Sequence, residues 1–178
     1  MMFVASYLRS RDMRGQLQKE KASADPVESE SADTDSLFGR LSELGFHRNR
    51  IEIKLRKFIK RVLIGVKGAT RWIDIVLQSI PMERRERLAG VDRDEILCEN
   101  LFLLDLLNVV TKNWTYFAHL EQQPGQTRVT KAQFEVILDF INKHREDAHA
   151  KDLGPAALTA VALAAQTIEV AIDPYLED

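Results

Sequence analysis

The sequence predicts an all-α fold, a compact helical bundle preceded by a flexible N-terminal segment. Three observations carry that expectation. Ile51, Leu55, Phe58, Ile59, Val62 and Leu63 recur at helical spacing. Leu101–Val110 is nearly all apolar, as suits a central helix. From Gly154-Pro155 onward a last segment is apolar almost all round, which implies burial on several sides or an oligomer interface. No alternating pattern of strand length accompanies them, and no internal repeat.

Residues 1–35 read as a flexible or partly helical segment and linker, and residues 36–178 as one domain. Arg9, Arg11, Arg14, Lys19 and Lys21 precede an acidic stretch rich in Ser and Ala, with Asp25, Glu28, Glu30, Asp33 and Asp35. That stretch offers little apolar surface to offset the entropy of ordering the chain. Asp35 or Ser36 is placed to cap a short helix ending at Gly45. The Ile51–Leu63 helix follows, closed by Gly65 and Gly68. A segment through Trp72, Ile73, Val76 and Leu77 comes next. Pro81 then suits the first position of a short charged helix, where its missing N–H costs nothing. The central apolar helix runs into Trp114, Tyr116, Phe117 and Leu120, and Pro124-Gly125 marks a turn.

Composition narrows the class. Of 178 residues, 45% are apolar and 29% charged, the balance of an ordinary globular domain. A formal charge of −2 gives no global pull toward nucleic acid, so such a role must come from local patches. Cys98 is the single cysteine, which excludes an intrachain disulfide and a thiolate zinc cluster and fits a cytoplasmic setting. The apolar runs are short of the ~18 residues of a membrane span, and no signal peptide is read. His47, His119, His144 and His149 are too scattered to argue for a metal site. No phosphate loop, nucleotide-binding glycine pattern or Ser-His-Asp order is present, so no cofactor is expected.

The stretch most suited to chemistry is Thr130–His149. Thr130 and Gln133 form a capping-box pattern. Phe134, Ile137, Leu138, Ile141 and Ala148 define a buried stripe. At about 100° per residue Arg145 falls inside that stripe, with His149 a turn further along its edge. An arginine there calls for a polar or anionic partner. Plainer readings stand beside this one. His149 at a helix end suits the helix dipole, His144 suits an ordinary surface, and Arg145 suits an ion pair with Asp139, Glu146 or another helix's carboxylate.

A second feature is the basic face of residues 48–61. Arg48, Arg50, Lys54, Arg56, Lys57, Lys60 and Arg61 stand against Glu52 alone. It reads equally as a phosphate-tracking surface, with Arg50, Lys54, Lys57, Lys60 and Arg61 as RNA contacts, or as a solvated amphipathic face. Arg84, Arg85 and Arg87 among Glu83 and Glu86 read as mixed-charge surface. Trp114, Tyr116 and Phe117 suit base stacking, with core packing expected for at least two of them. Asp105, inside an apolar helix, suits a partner on the Thr130–His149 helix such as Arg145 or a histidine.

In order and texture these segments resemble the HEPN superfamily of small helical domains, closest to the branch associated with PIN-type nucleases. The likeness spans residues 36–176. It rests on the basic helix, Arg71-Trp72-Ile73, Asp105-Leu106-Leu107, Trp114…Phe117 and the histidine-bearing helix before a last apolar one. The family motif is an arginine, usually followed by a polar residue, and a histidine after four to six intervening positions. Asp147-Ala148-His149 matches the histidine end, so His149 takes the place of the catalytic histidine. Four intervening residues lead back to His144, and Arg145 is one position closer than the pattern. The resemblance implies a homodimer whose paired motifs form a metal-independent endoribonuclease site, with Arg145 on the phosphate and His144 in support. It also implies an antiviral-defence or toxin setting and a possible protein partner in a defence or toxin–antitoxin system. The alternative it leaves is a degenerate module that binds RNA, nucleotide or a protein partner.

Overall fold

The structure, a computed structural model, describes residues 29–122, 127–146 and 154–177. Its longest element, α1 (Ser29–Lys67), forms where the sequence spaces Leu44, Ile51, Leu55, Phe58, Ile59 and Leu63 along one stripe, and all six are buried. The helix runs through Gly45 instead of ending there, and it crosses the expected boundary at residues 35 and 36. Anchors on both sides of Gly45 explain its continuity. Leu44 and Ile51 are in the core, and the i,i+4 pair Arg48–Glu52 (3.1 Å) secures the turn that follows. One glycine's helix penalty is small against such tertiary anchoring. The helix stops instead at Gly68, whose φ of 79° lets its N–H return to the Ile64 carbonyl at 2.8 Å.

α2 (Trp72–Ser79) buries Trp72, Ile73 and Val76. Pro81 occupies the capping position of α3 (Met82–Arg87), one residue ahead of the expected place. α4 (Arg93–Glu99) and α5 (Leu103–Lys112) follow. The end of α2 is tied to the end of α5: Lys112 Nζ donates to the Ser79 carbonyl at 2.6 Å, and Asn113 Nδ2 donates to Ser79 Oγ at 2.7 Å. Asn113 breaks α5 from the one-turn α6 (Trp114–Phe117) and a 3-10 turn at Ala118–Glu121.

Asp105 accepts the Phe102 N–H at 3.0 Å and pairs with Arg84 Nη2 at 3.0 Å. The expected link from Asp105 to Arg145 or a histidine involves the Arg145 side chain and His149, which lie outside the described residues. At the third residue of α5 its carboxylate caps the Phe102 N–H at the start of that helix and ties it to Arg84 of α3. Arg84 also donates to the Asn100 carbonyl and lies over the Phe102 ring, so it is a structural cation and not part of a loose charged surface.

α7 (Lys131–Glu146) and α8 (Pro155–Ile172) complete the bundle. Gly154 precedes Pro155 at the first turn, as the sequence indicates. α8 packs most extensively on α1 and then on α7, while α7 also meets α5. Ala157, Ala164, Ala165 and Ala171 are buried on α8, and their small side chains let neighbouring helices approach closely. The fold is all-α, with no strand among the described residues. By length and composition Pro155–Tyr175 would suffice to cross a membrane, with half of its apolar window buried. In this fold it serves as a core helix.

Candidate functional site

The reciprocal cap of α7 forms as its sequence predicts. The Thr130 N–H donates to Gln133 Oε1 at 2.9 Å, and the Gln133 N–H donates to Thr130 Oγ1 at 3.3 Å. Phe134, Ile137, Leu138 and Ile141 are buried, and Trp114 tilts against Phe134 at 5.9 Å. This fixes the rotation of the helix that carries the motif.

At its far end, His144 Nδ1 lies 2.8 Å from the Phe140 carbonyl, and the two rings are 4.3 Å apart. A carbonyl only accepts, so Nδ1 carries the proton and the neutral ring keeps its lone pair on Nε2. The structure describes the Arg145 backbone inside α7 but not its side chain, and His149, Ala148 and the Pro124-Gly125 turn lie outside the described residues. Asp139, one expected partner of Arg145, is engaged by Lys143 at 2.6 Å.

The basic face of α1 divides by role. Arg50 and Lys54 reach across to α8 and the turn after it. Arg50 forms a two-pronged pair with Glu169, one arm 2.7 Å long. Lys54 donates to Glu169 at 3.3 Å and to Asp173 at 2.7 Å. Glu169 is only 4% exposed. Burial pushes its carboxyl up, but hydrogen bonds and charge from Arg50 and Lys54 outweigh that and hold it below the usual range. Burial likewise pulls the Lys54 ammonium down, and Asp173 and Glu169 more than reverse it, leaving it raised. Arg50 is raised chiefly by its hydrogen bond to Glu169. Arg48 and Arg56 flank buried Glu52 at 3.1 and 3.0 Å, and Arg56 also donates to the Leu101 carbonyl at 2.8 Å. Lys60 lies over the Trp72 ring at 5.6 Å, whereas Lys57 and Arg61 are exposed. The face is thus partly an interhelical ion network, with Lys57, Lys60 and Arg61 toward its C-terminal end.

A third locus went unnoticed in the sequence. His119 stands edge-on to Tyr175 at 4.4 Å and to Phe58 at 5.9 Å. Burial lowers its pKa, against a backbone hydrogen bond at Tyr116 that raises it, and the net shift is downward. With Arg61, Gly65 and Tyr116 it lines a cleft of about 370 Å³. The sequence read Gly65 as closing the helix, but α1 continues through it to Lys67, and the lining residues are spread over four elements. Of the aromatic trio, Phe117 is buried and Trp114 is half-buried, donating to Glu121 at 3.0 Å. Among the described residues no group of three His, Cys, Asp or Glu side chains is placed to hold a metal ion.

No protein-family model matches the chain, and no curated protein or solved structure is significantly similar to it.

Proposed function

We propose that this protein is an RNA-directed module of the HEPN type, a cytoplasmic homodimer that cleaves RNA without metal at the C-terminal end of α7. The observation that carries the reading is His144. Its Nδ1–H is fixed on the Phe140 carbonyl, which leaves Nε2 as an oriented proton acceptor next to Arg145 in the chain. RNA brings its own nucleophile, the 2′-OH, so cleavage needs a base, an acid and a cation at the phosphate. Arg145 supplies the cation, and the planar guanidinium suits charge growing on phosphate oxygens. His149 acts as general acid or base, with His144 in support. Leu163 and Val170, seven residues apart on one face of α8 and both about half exposed, support a second copy packing there. A defence or toxin–antitoxin setting, with a protein partner that controls the nuclease, completes the proposal.

A second reading is favoured by one observation: Arg50 and Lys54 are committed to Glu169 and Asp173, which thins the phosphate-tracking surface. On that reading the module binds RNA, nucleotide or a protein partner without cutting. The experiment that separates them is incubation of mixed-sequence RNA in excess chelator with wild type, His144→Ala, Arg145→Ala and His149→Ala. Products ending in 2′,3′-cyclic phosphate and 5′-hydroxyl are expected, with losses of about a hundredfold or more for His149→Ala and Arg145→Ala. Equal cleavage by all four proteins overturns the nuclease assignment. An inactive wild type that still binds RNA with a steep salt dependence supports the second reading.

A further inference from the structure

His119 is held as a neutral imidazole. Its hydrogen bond to the Tyr116 backbone takes the Nδ1 proton, because a carbonyl only accepts, and the lone pair rests on Nε2. Nε2 is buried and has no hydrogen-bond partner. A proton added there is a buried charge with neither water nor an acceptor to receive it, which is a costly arrangement.

The residues packed on this ring are not equally able to yield. Phe58, 5.9 Å away, is wholly buried in α1. Tyr175 is closer, edge-on at 4.4 Å, and lies 5.6 Å from Phe58. It is only half-buried and belongs to the 3-10 turn Asp173–Tyr175 beyond α8. The base of that turn is anchored. The Asp173 N–H donates to the Glu169 carbonyl, and Lys54 donates to the Asp173 carboxylate at 2.7 Å. Past the base, the Leu176 and Glu177 N–H groups return to the Asp173 carbonyl at 2.8 and 3.3 Å, so these backbone bonds stay inside the turn and can move with it.

The charged and titratable groups around the ring offer a proton no compensation. Arg61 of α1 and Tyr116 of α6 line the cleft with His119 and Tyr175. A guanidinium is a permanent cation that opposes a second charge, and phenols are uncharged throughout the acid range. Glu121, on the same turn as His119, accepts from Trp114 and from the Lys131 N–H. Asp173 is engaged by Lys54, and neither carboxylate meets Nε2.

We propose that His119 and Tyr175 form an acid-sensitive latch. The neutral imidazole keeps the Asp173–Tyr175 turn closed, and protonation at Nε2 swings Tyr175 off the bundle while the Lys54–Asp173 pair holds the base of the turn. Opening bares the Phe58 ring and the aromatic wall of the cleft. The latch is separate from the end of α7 and does not rest on the RNA reading. Because burial holds the imidazole below its ordinary 6.5 in the closed form, the closed turn is fully favoured above that pH. It loses ground as pH falls below it, by up to about tenfold in the closed-to-open ratio per pH unit until the closed-state value is passed.

The test is an NMR titration of the full chain from about pH 8 to about pH 4.5. It follows the His119 ring and the backbone amides of Leu176 and Glu177, with the amides of Phe134 and Leu138 on α7 as the reference for the bundle. The Leu176 and Glu177 amides are expected to shift together with the ring, at a midpoint below 6.5, while the α7 amides hold. His119→Phe keeps an aromatic ring without a titrating nitrogen and is expected to abolish the transition. Tyr175→Ala removes the cover and is expected to return the His119 midpoint toward 6.5; it carries the test if His119→Phe does not fold. A wild-type His119 midpoint at or above 6.5 overturns the proposal, as do Leu176 and Glu177 amides that stay put while the ring titrates. The same transition in a folded His119→Phe, an unchanged midpoint in Tyr175→Ala, or loss of the α7 amides in the same step overturns it equally.

Discussion

Glu169 illustrates what single residues decide here. This acid of the last helix is buried and receives both Arg50 and Lys54. Replacing Glu169 by Gln leaves two cations facing a neutral amide. Because Arg50 and Lys54 retain partial solvent access, the expected cost is about 1–3 kcal/mol, below that of a fully buried broken pair. The sign with pH follows from the lowered carboxyl. A carboxyl depressed in the folded state stabilises the protein above its ordinary pKa, near 4.5, and loses that contribution as pH falls through the folded value. Urea melts at pH 7 and at stepwise lower pH should show wild type losing its advantage over Glu169→Gln in acid. A constant difference down to pH 2 would refute the coupling. The sequence showed the cations but not their partners, because a pair 119 residues apart leaves no local spacing to read.

At the scale of elements, the C-terminal end of α1 brings two glycine situations only three residues apart. Gly68 holds φ at 79° to end the helix, so Gly68→Ala is expected to lower stability by about 1 kcal/mol. Gly65 sits in ordinary helical backbone with open space at its Cβ position, so Gly65→Ala is expected to raise stability by about 0.5–1 kcal/mol. Thermal melts of the two variants should therefore move in opposite directions; movement in the same direction would refute this account. The periodic stripes of α1, α5, α7 and α8 were legible because each buries one face against its neighbours, and so was the Thr130–Gln133 cap. The break expected at Gly45 was not, since local propensity gave way to anchors at Leu44 and Ile51. The 39-residue span of α1 is a tertiary outcome and not a property of any one window.

For the whole molecule, helix order and fold class were readable from hydrophobic periodicity, whereas the His119 cleft was not, because it assembles residues from α1, α6, the turn after α6 and the turn after α8. The pairing of α1 with α8 also has a consequence in time. Arg50 meets Glu169 and Lys54 meets Asp173, so the two helices run parallel in register, and the cover for an early helix is made late. At ribosomal rates of 5–20 residues per second, roughly 10 s separates the synthesis of Arg50 from that of Glu169. During that interval Ile51, Leu55 and Phe58 lack their final neighbours, and long-range closure of this kind is slow. Nascent chains stalled at successive lengths are expected to develop folding force only once Tyr175 has cleared the exit tunnel, with little before Pro155 emerges. Early force at the length of α5 would show that α1 has found another partner. Until then the exposed stripe is the substrate a chaperone sees, and the order of translation, not the final packing alone, sets how much of this chain survives to fold.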